Sequence, residues 1–198
     1  EFAVYLTMKS THGKIFYTTP IKALSNQKFN ELCDEWGEAN VGLLTGDTNI
    51  NSGARIVVMT TEVLRNMLYA ESDLIDSLEF VVMDEVHYLA DRFRGPVWEE
   101  VIIHLPASVS VIALSATVSN VEEFGAWLDE VRGDTEIIVS EIRPVPLNQH
   151  VLFGDELLEL FDETSKDPRV NPELAQMHAT KLRSPINKPH RGRRSDFG

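Results

Sequence analysis

Apolar and polar positions along the chain follow two periods. Short runs of β-branched and apolar residues at 15–18, 56–59, 79–83 and 109–114 read as buried strands. Between them, residues 20–36, 61–69, 96–104 and 120–130 carry apolar positions at helical spacing. Strands that alternate with helices predict βαβ units, and so an α/β fold with a parallel sheet covered by helices on both faces. Glu136 to Val139 is a candidate for one more strand, and Glu156 to Phe161 for a short helix or a hairpin arm. Residues 165–198 carry Pro168, Pro172, Pro185 and Pro189, scattered charges and little periodic apolar content, a composition that predicts disorder.

The strand predicted at 79–83 ends in Asp84-Glu85-Val86-His87. In open α/β sheets ligands bind beyond the carboxyl ends of the strands. Two adjacent carboxylates delivered there match the way nucleotide hydrolases hold Mg²⁺ and polarise a water beside the γ-phosphate. The candidate chemistry is ATP hydrolysis. A second strand, Val109 to Leu114, ends in Ser115-Ala116-Thr117, 31 residues after Asp84. Upstream, Ile15-Phe16-Tyr17-Thr18 leads into Thr19-Pro20-Ile21-Lys22-Ala23-Leu24. There the Thr19 hydroxyl and the amides entering a helix near Ile21 suit phosphate oxygens, with Pro20 in the first turn and Lys22 as a helper.

This ordered series resembles the motifs of superfamily 2 helicases. The DEVH tetrapeptide and Ser115-Ala116-Thr117 correspond to motifs II and III, and Thr19 to Leu24 to motif Ia. Leu43-Leu44-Thr45-Gly46-Asp47 is similar to motif Ib, and Ile56 to Glu62 to motif Ic, with Thr60-Thr61-Glu62 in place of the usual Thr-Pro-Glu. Ser140 to Leu147 is similar to the segment by which Ski2-like helicases leave their first lobe. The spelling DEVH makes the Ski2-like DExH RNA helicases, including actinobacterial members, the family resembled over residues 1–153.

The resemblance implies a RecA-like lobe that binds ATP with Mg²⁺. It assigns Asp84 to the metal through a water, Glu85 to the attacking water, and His87 to a hydrogen bond between the nucleotide site and the sheet. Ser115, Ala116 and Thr117 would couple hydrolysis to lobe movement. Alternatively, Ser115 and Thr117 cap the next helix, for which Ser119 or Asn120 is the better N-cap. Thr19, Pro20, Lys22, Gly46, Asp47, Thr61 and Glu62 would meet nucleic acid. Such contacts touch phosphate and sugar, so they position a strand without reading it. RNA is the implied partner, DNA the alternative.

No Gly-rich loop ending in Gly-Lys-Ser/Thr occurs in the chain, and Glu1 to Leu6 looks like the helix that follows that loop in the family. The sheet is therefore expected to be incomplete at its N-terminal edge. The 45 residues after Phe153 are too few for a second lobe, and 154–198 are expected to begin an insertion or linker with a disordered basic tail. Taken alone, these residues should hydrolyse little or no ATP. Two other readings compete: a non-catalytic RNA- or partner-binding remnant, and a DNA-directed superfamily 2 repair helicase.

Composition narrows the rest. No stretch approaches the ~18 apolar residues of a membrane span. The single cysteine, Cys33, cannot form an internal disulfide, so a reducing cytoplasm is the expected compartment. The chain carries a net charge of −13, yet residues 181–198 hold six basic residues against Asp196, leaving 1–180 at −18. An acidic body argues against general adhesion to nucleic acid, so RNA contacts must be local. The run Arg191-Gly192-Arg193-Arg194 is either such a contact or a solvated linker.

Overall fold

The computed structural model describes residues 1–115, 121–140, 145, 147–153, 155–162, 169–174 and 176. The chain divides after Ile138 into two units.

The first unit is built on a six-stranded sheet in the order β3-β2-β4-β1-β5-β6. Its strands are β1 (Lys14–Thr19), β2 (Val41–Thr45), β3 (Thr48–Ile50), β4 (Ile56–Thr60), β5 (Leu78–Met83) and β6 (Ser110–Ala113). All neighbours are parallel except β3, which folds back antiparallel on β2 and closes one edge. The expectation of a parallel sheet thus holds for five strands. At the other edge β6 pairs with β5.

Strand alternation divides the core into two layers. Ile15, Val41, Leu43, Ile56, Val58 and Val82 face α1 (Phe2–Lys9) and α2 (Lys22–Trp36), where Ala3, Val4 and Leu32 complete a buried cluster. Phe16, Val57, Met59, Val81 and Met83 face the other way, onto α3 (Thr61–Tyr69), α4 (Gly95–His104) and α5 (Val121–Arg132). Trp98 of α4 is fully buried among them. Strands with both faces covered read as near-continuous apolar runs, which is why β4 and β5 stood out in the sequence.

Two arginines fasten loops to this frame. Arg55 donates to the carbonyls of Thr7, Met8, Ser10 and Gly13, closing the C-terminal end of α1. Arg132 donates to those of Leu105, Pro106 and Val109, pinning α5 to the α4–β6 connection.

Some expectations need correction. Glu136 to Val139 forms no strand; its Ile137 side chain lies over Gly125 of α5, where any Cβ would collide with it. Pro20 precedes the N-cap Ile21 instead of sitting in the first turn of α2. In the second unit, Glu156–Glu159 is β8, which pairs antiparallel with β7 (His150–Phe153), the hairpin-arm alternative. A single bridge joins Phe161 to Val170. Ala116, Thr117 and the basic run at 191–194 lie outside the described residues.

Candidate active site

Asp84 and Glu85 emerge at the carboxyl end of β5, between β1 and the edge strand β6. The Asp84 amide donates to the Thr18 carbonyl (2.9 Å), so the strand's last ladder bond delivers the first carboxylate. That carboxylate is held at both oxygens. Oδ2 accepts from the Tyr17 hydroxyl at 2.8 Å, and Oδ1 from the Glu85 amide at 2.9 Å. Burial, then the bond to Asp84 and the surrounding carboxylates, pushes the Tyr17 phenol well above its ordinary range, so it stays a donor. The Lys28 ammonium lies 5.3 Å from the Tyr17 ring centroid.

At Glu85 the backbone enters the left-handed region, φ 54° and ψ 44°. Only a few per cent of non-glycine residues do so, and such conformations gather at functional sites. The reversal ends β5 and starts a short 3₁₀ turn, Val86–Ala90. It also turns the Glu85 side chain toward His87, whose Nδ1 lies 3.1 Å from Glu85 Oε2. The pair is within ion-pair reach but off the line a hydrogen bond requires, and Nδ1 is a buried atom without a hydrogen-bond partner.

The β6 end is tied to the same place. The Leu114 amide donates to the Met83 carbonyl and the Leu114 carbonyl accepts from the Val86 amide, both at 2.9 Å. Ser115 follows at once and is exposed. Motifs II and III are therefore neighbours through the backbone, although 31 residues separate their first positions.

A second group of expected residues sits at the ends of β1, β2 and β4. Thr19 is fully buried; its hydroxyl donates to the Ile21 carbonyl (3.1 Å) and lies 2.7 Å from Ser25 Oγ. Thr61 is also fully buried, its hydroxyl directed to the Thr19 carbonyl at 3.4 Å. Both side chains brace the strand ends, which leaves backbone groups as what they offer a ligand. Lys22 and Asp47 are exposed and paired at 2.6 Å. The Lys22 ammonium, then the Thr45 hydroxyl, hold the Asp47 carboxyl below the usual carboxylate range. Exposed Gly46 occupies the turn between β2 and β3, and Glu62 the first turn of α3, where a negative charge suits the helix dipole.

The sequence reading missed Tyr17 and Arg94. Arg94 Nη1 donates to the Pro20 carbonyl at 3.1 Å, and its guanidinium carbon lies 5.6 Å from the Tyr88 ring centroid. Tyr88 stacks on Trp98 with 5.9 Å between centroids. One arginine thus links the segment after the DEVH tetrapeptide to the turn after β1.

A family model described as "DEAD/DEAH box helicase" matches residues 2–124. The chain belongs to the DEAD/DEAH box helicase family. Its relatives are Ski2-like DExH helicases. "Probable helicase HelY" of Mycobacterium tuberculosis (strain ATCC 25618 / H37Rv) is 60% identical over 178 residues, which is 88% of this chain and 20% of that protein. "Antiviral helicase SKI2" of Saccharomyces cerevisiae is 46% identical over 84% of this chain and 13% of that protein. The chain therefore spans a fifth or less of the length of these relatives.

Among solved structures, S. cerevisiae Dbp5 bound to RNA and ADP BeF3 aligns with a TM-score of 0.58 at 13% identity, covering 71% of this chain and 38% of Dbp5. Mycobacterium smegmatis Lhr bound to ssDNA and AMP-PNP aligns at 0.54 and 24% identity, covering 68% of this chain and 20% of Lhr. At such identities the likeness establishes the fold, a RecA-like helicase domain. The family binds ATP with a divalent metal. Among the described residues no helix is long and apolar enough to cross a membrane.

Proposed function

We propose that this chain is the front lobe of an ATP-dependent RNA helicase in which Asp84 and Glu85 divide the work of hydrolysis. The observation that carries this reading is the placement of two carboxylates at the end of one interior strand with different fixings: Asp84 hydrogen-bonded at both oxygens, Glu85 turned away by a left-handed backbone.

The donor set fits Mg²⁺. No group of three or more His, Cys, Asp or Glu suited to a metal occurs among the described residues, and Mg²⁺ on a nucleotide takes one or two carboxylates, waters and phosphate oxygens instead of a protein cage. Asp84 would hold the ion through a water. When bound, ATP with Mg²⁺ supplies the scissile phosphate and the cation that offsets its charge. Glu85 orients the attacking water and takes its proton on the carboxylate. The buried Nδ1 of His87, which faces Glu85 without a hydrogen bond, supports a position that is satisfied when a ligand arrives, because a buried polar atom without a hydrogen bond costs about 1–3 kcal/mol.

Nucleic acid would run along the backbone at the ends of β1, β2 and β4, beside Pro20, Lys22, Gly46 and Asp47. RNA is the proposed substrate, because a relative from Arabidopsis thaliana, 50% identical over 82% of this chain, is a "DExH-box ATP-dependent RNA helicase". The partners are RNA and the remainder of the helicase, including a second RecA-like lobe; the compartment is the cytoplasm. The test is Mg²⁺-dependent ATP turnover by the full-length protein that carries this chain, with single-stranded RNA or DNA added. Asp84→Asn should raise the Mg²⁺ concentration required. Turnover stimulated only by DNA would replace the RNA assignment, and no Asp84 effect would remove the metal assignment.

A further inference from the structure

Phe93 is 86% exposed, the most exposed large apolar side chain among the described residues. A lone exposed apolar residue means little by itself. The setting of this one is specific. It stands on a turn with fixed geometry: Asp91 Oδ1 accepts from the amides of Phe93 (2.8 Å) and Arg94 (2.9 Å), and the Asp91 carbonyl from the Gly95 amide (2.8 Å). The Arg94 amide, then the Phe93 amide, hold the Asp91 carboxyl below its usual range.

An arginine adjoins Phe93 on each side in sequence. Arg92 is exposed, and Arg94 is anchored on the Pro20 carbonyl and against Tyr88. Arg94 therefore ties the turn that carries Phe93 to the turn between β1 and α2, where the proposed nucleic-acid path begins. Behind it Gly95 packs so closely that any Cβ would lie 2.3 Å from the Leu89 carbonyl oxygen. The turn is held from three sides while its aromatic ring points into water.

We propose that Phe93 is a base-stacking platform for single-stranded nucleic acid, with Arg92 contacting phosphate. The inference rests on the nucleic-acid path given above. An aromatic face next to cationic side chains is how proteins hold single strands without reading sequence. On a body of charge −18 over residues 1–180, binding must concentrate where arginines cluster beside an apolar face, and 92–94 is such a place.

The test is fluorescence anisotropy with labelled oligouridine on the full-length protein, comparing wild type with Phe93→Ala, Phe93→Leu, Phe93→Trp and Arg92→Gln. Stacking predicts that Phe93→Ala and Phe93→Leu both weaken binding roughly 5- to 100-fold, while Phe93→Trp retains it and adds emission that RNA quenches. Arg92→Gln should lower the slope of log affinity against log salt by about 1. If wild type binds and Phe93→Ala binds within about twofold of it, the platform is wrong and the path survives. If Leu restores what Ala loses and Trp emission is unaffected by RNA, the ring meets a protein surface instead. Should wild type bind neither the oligouridine nor an oligothymidine of the same length, the path falls and the platform with it.

Discussion

Tyr17 and Asp84 are joined across neighbouring parallel strands. Tyr17 of β1 lies opposite Val82 of β5, so Asp84, two residues further on, points from the same face of the sheet, and the phenol spans the remaining gap at 2.8 Å. A strand that looks purely structural thereby sets the orientation of the carboxylate proposed to hold the metal.

Tyr17→Phe keeps the ring and deletes the donor. Hydrogen bonds to charged groups contribute more than neutral ones, so urea denaturation should show a loss of about 1–2 kcal/mol at neutral pH. The sign with pH follows from the raised phenol. Its folded value lies above the ordinary tyrosine value of 10.0, so the contribution is fully present below pH 10 and lost as pH rises through the folded value. In an absorbance titration the wild type should therefore match Tyr17→Phe through the ordinary tyrosine range and show its extra phenol only above it; an extra wild-type phenol that titrates with the others near 10.0 would dissolve the pairing.

The resemblance made Asp84, Glu85 and the strands around them legible, because a doubly covered strand leaves a continuous apolar run and its end is marked by the first charges. Tyr17 was not legible. As a residue it is an ordinary strand aromatic, and its role arises only from the β1–β5 register, 67 residues apart in sequence. The β3 return was hidden for a related reason: three residues, Thr48–Ile50, are too few for a period to show. Thr19 looked like a phosphate ligand because a hydroxyl before a helix usually faces outward, but the tight β1–α2 turn draws it in to Ile21 and Ser25.

Arg55 gathers four carbonyls at the end of α1, a task its planar, multi-donor guanidinium suits and an ammonium does not. Arg55→Lys should cost about 2–3 kcal/mol and expose the amides of α1 selectively to hydrogen exchange. Uniform exchange across the lobe would mean that the helix is held otherwise.

Lys22 is engaged by Asp47, so a phosphate must compete with a carboxylate already in place. Asp47→Asn should tighten RNA binding and steepen its salt dependence, by up to about 1 in the log–log slope. The pair is exposed, so its removal should leave the melting temperature unchanged. Weaker RNA binding in Asp47→Asn would indicate that Asp47 itself contacts the strand.

Gly95 opens α4 where no Cβ fits against the Leu89 carbonyl. Gly95→Ala should lower stability by about 1–3 kcal/mol through the forced backbone shift and loosen the Asp91–Arg94 turn. Thermal denaturation measures the first effect; a stability equal to wild type would mean that the turn relaxes freely.

The central claim is that Glu85 activates the water that attacks ATP. It is tested most directly by RNA-stimulated ATP turnover in the full-length protein, wild type against Glu85→Gln, with nucleotide affinity measured alongside. Loss of a general base predicts a fall of roughly 10²–10⁴ in kcat with nucleotide binding retained. Turnover by Glu85→Gln at the wild-type rate would contradict the claim and move the chemistry away from the end of β5.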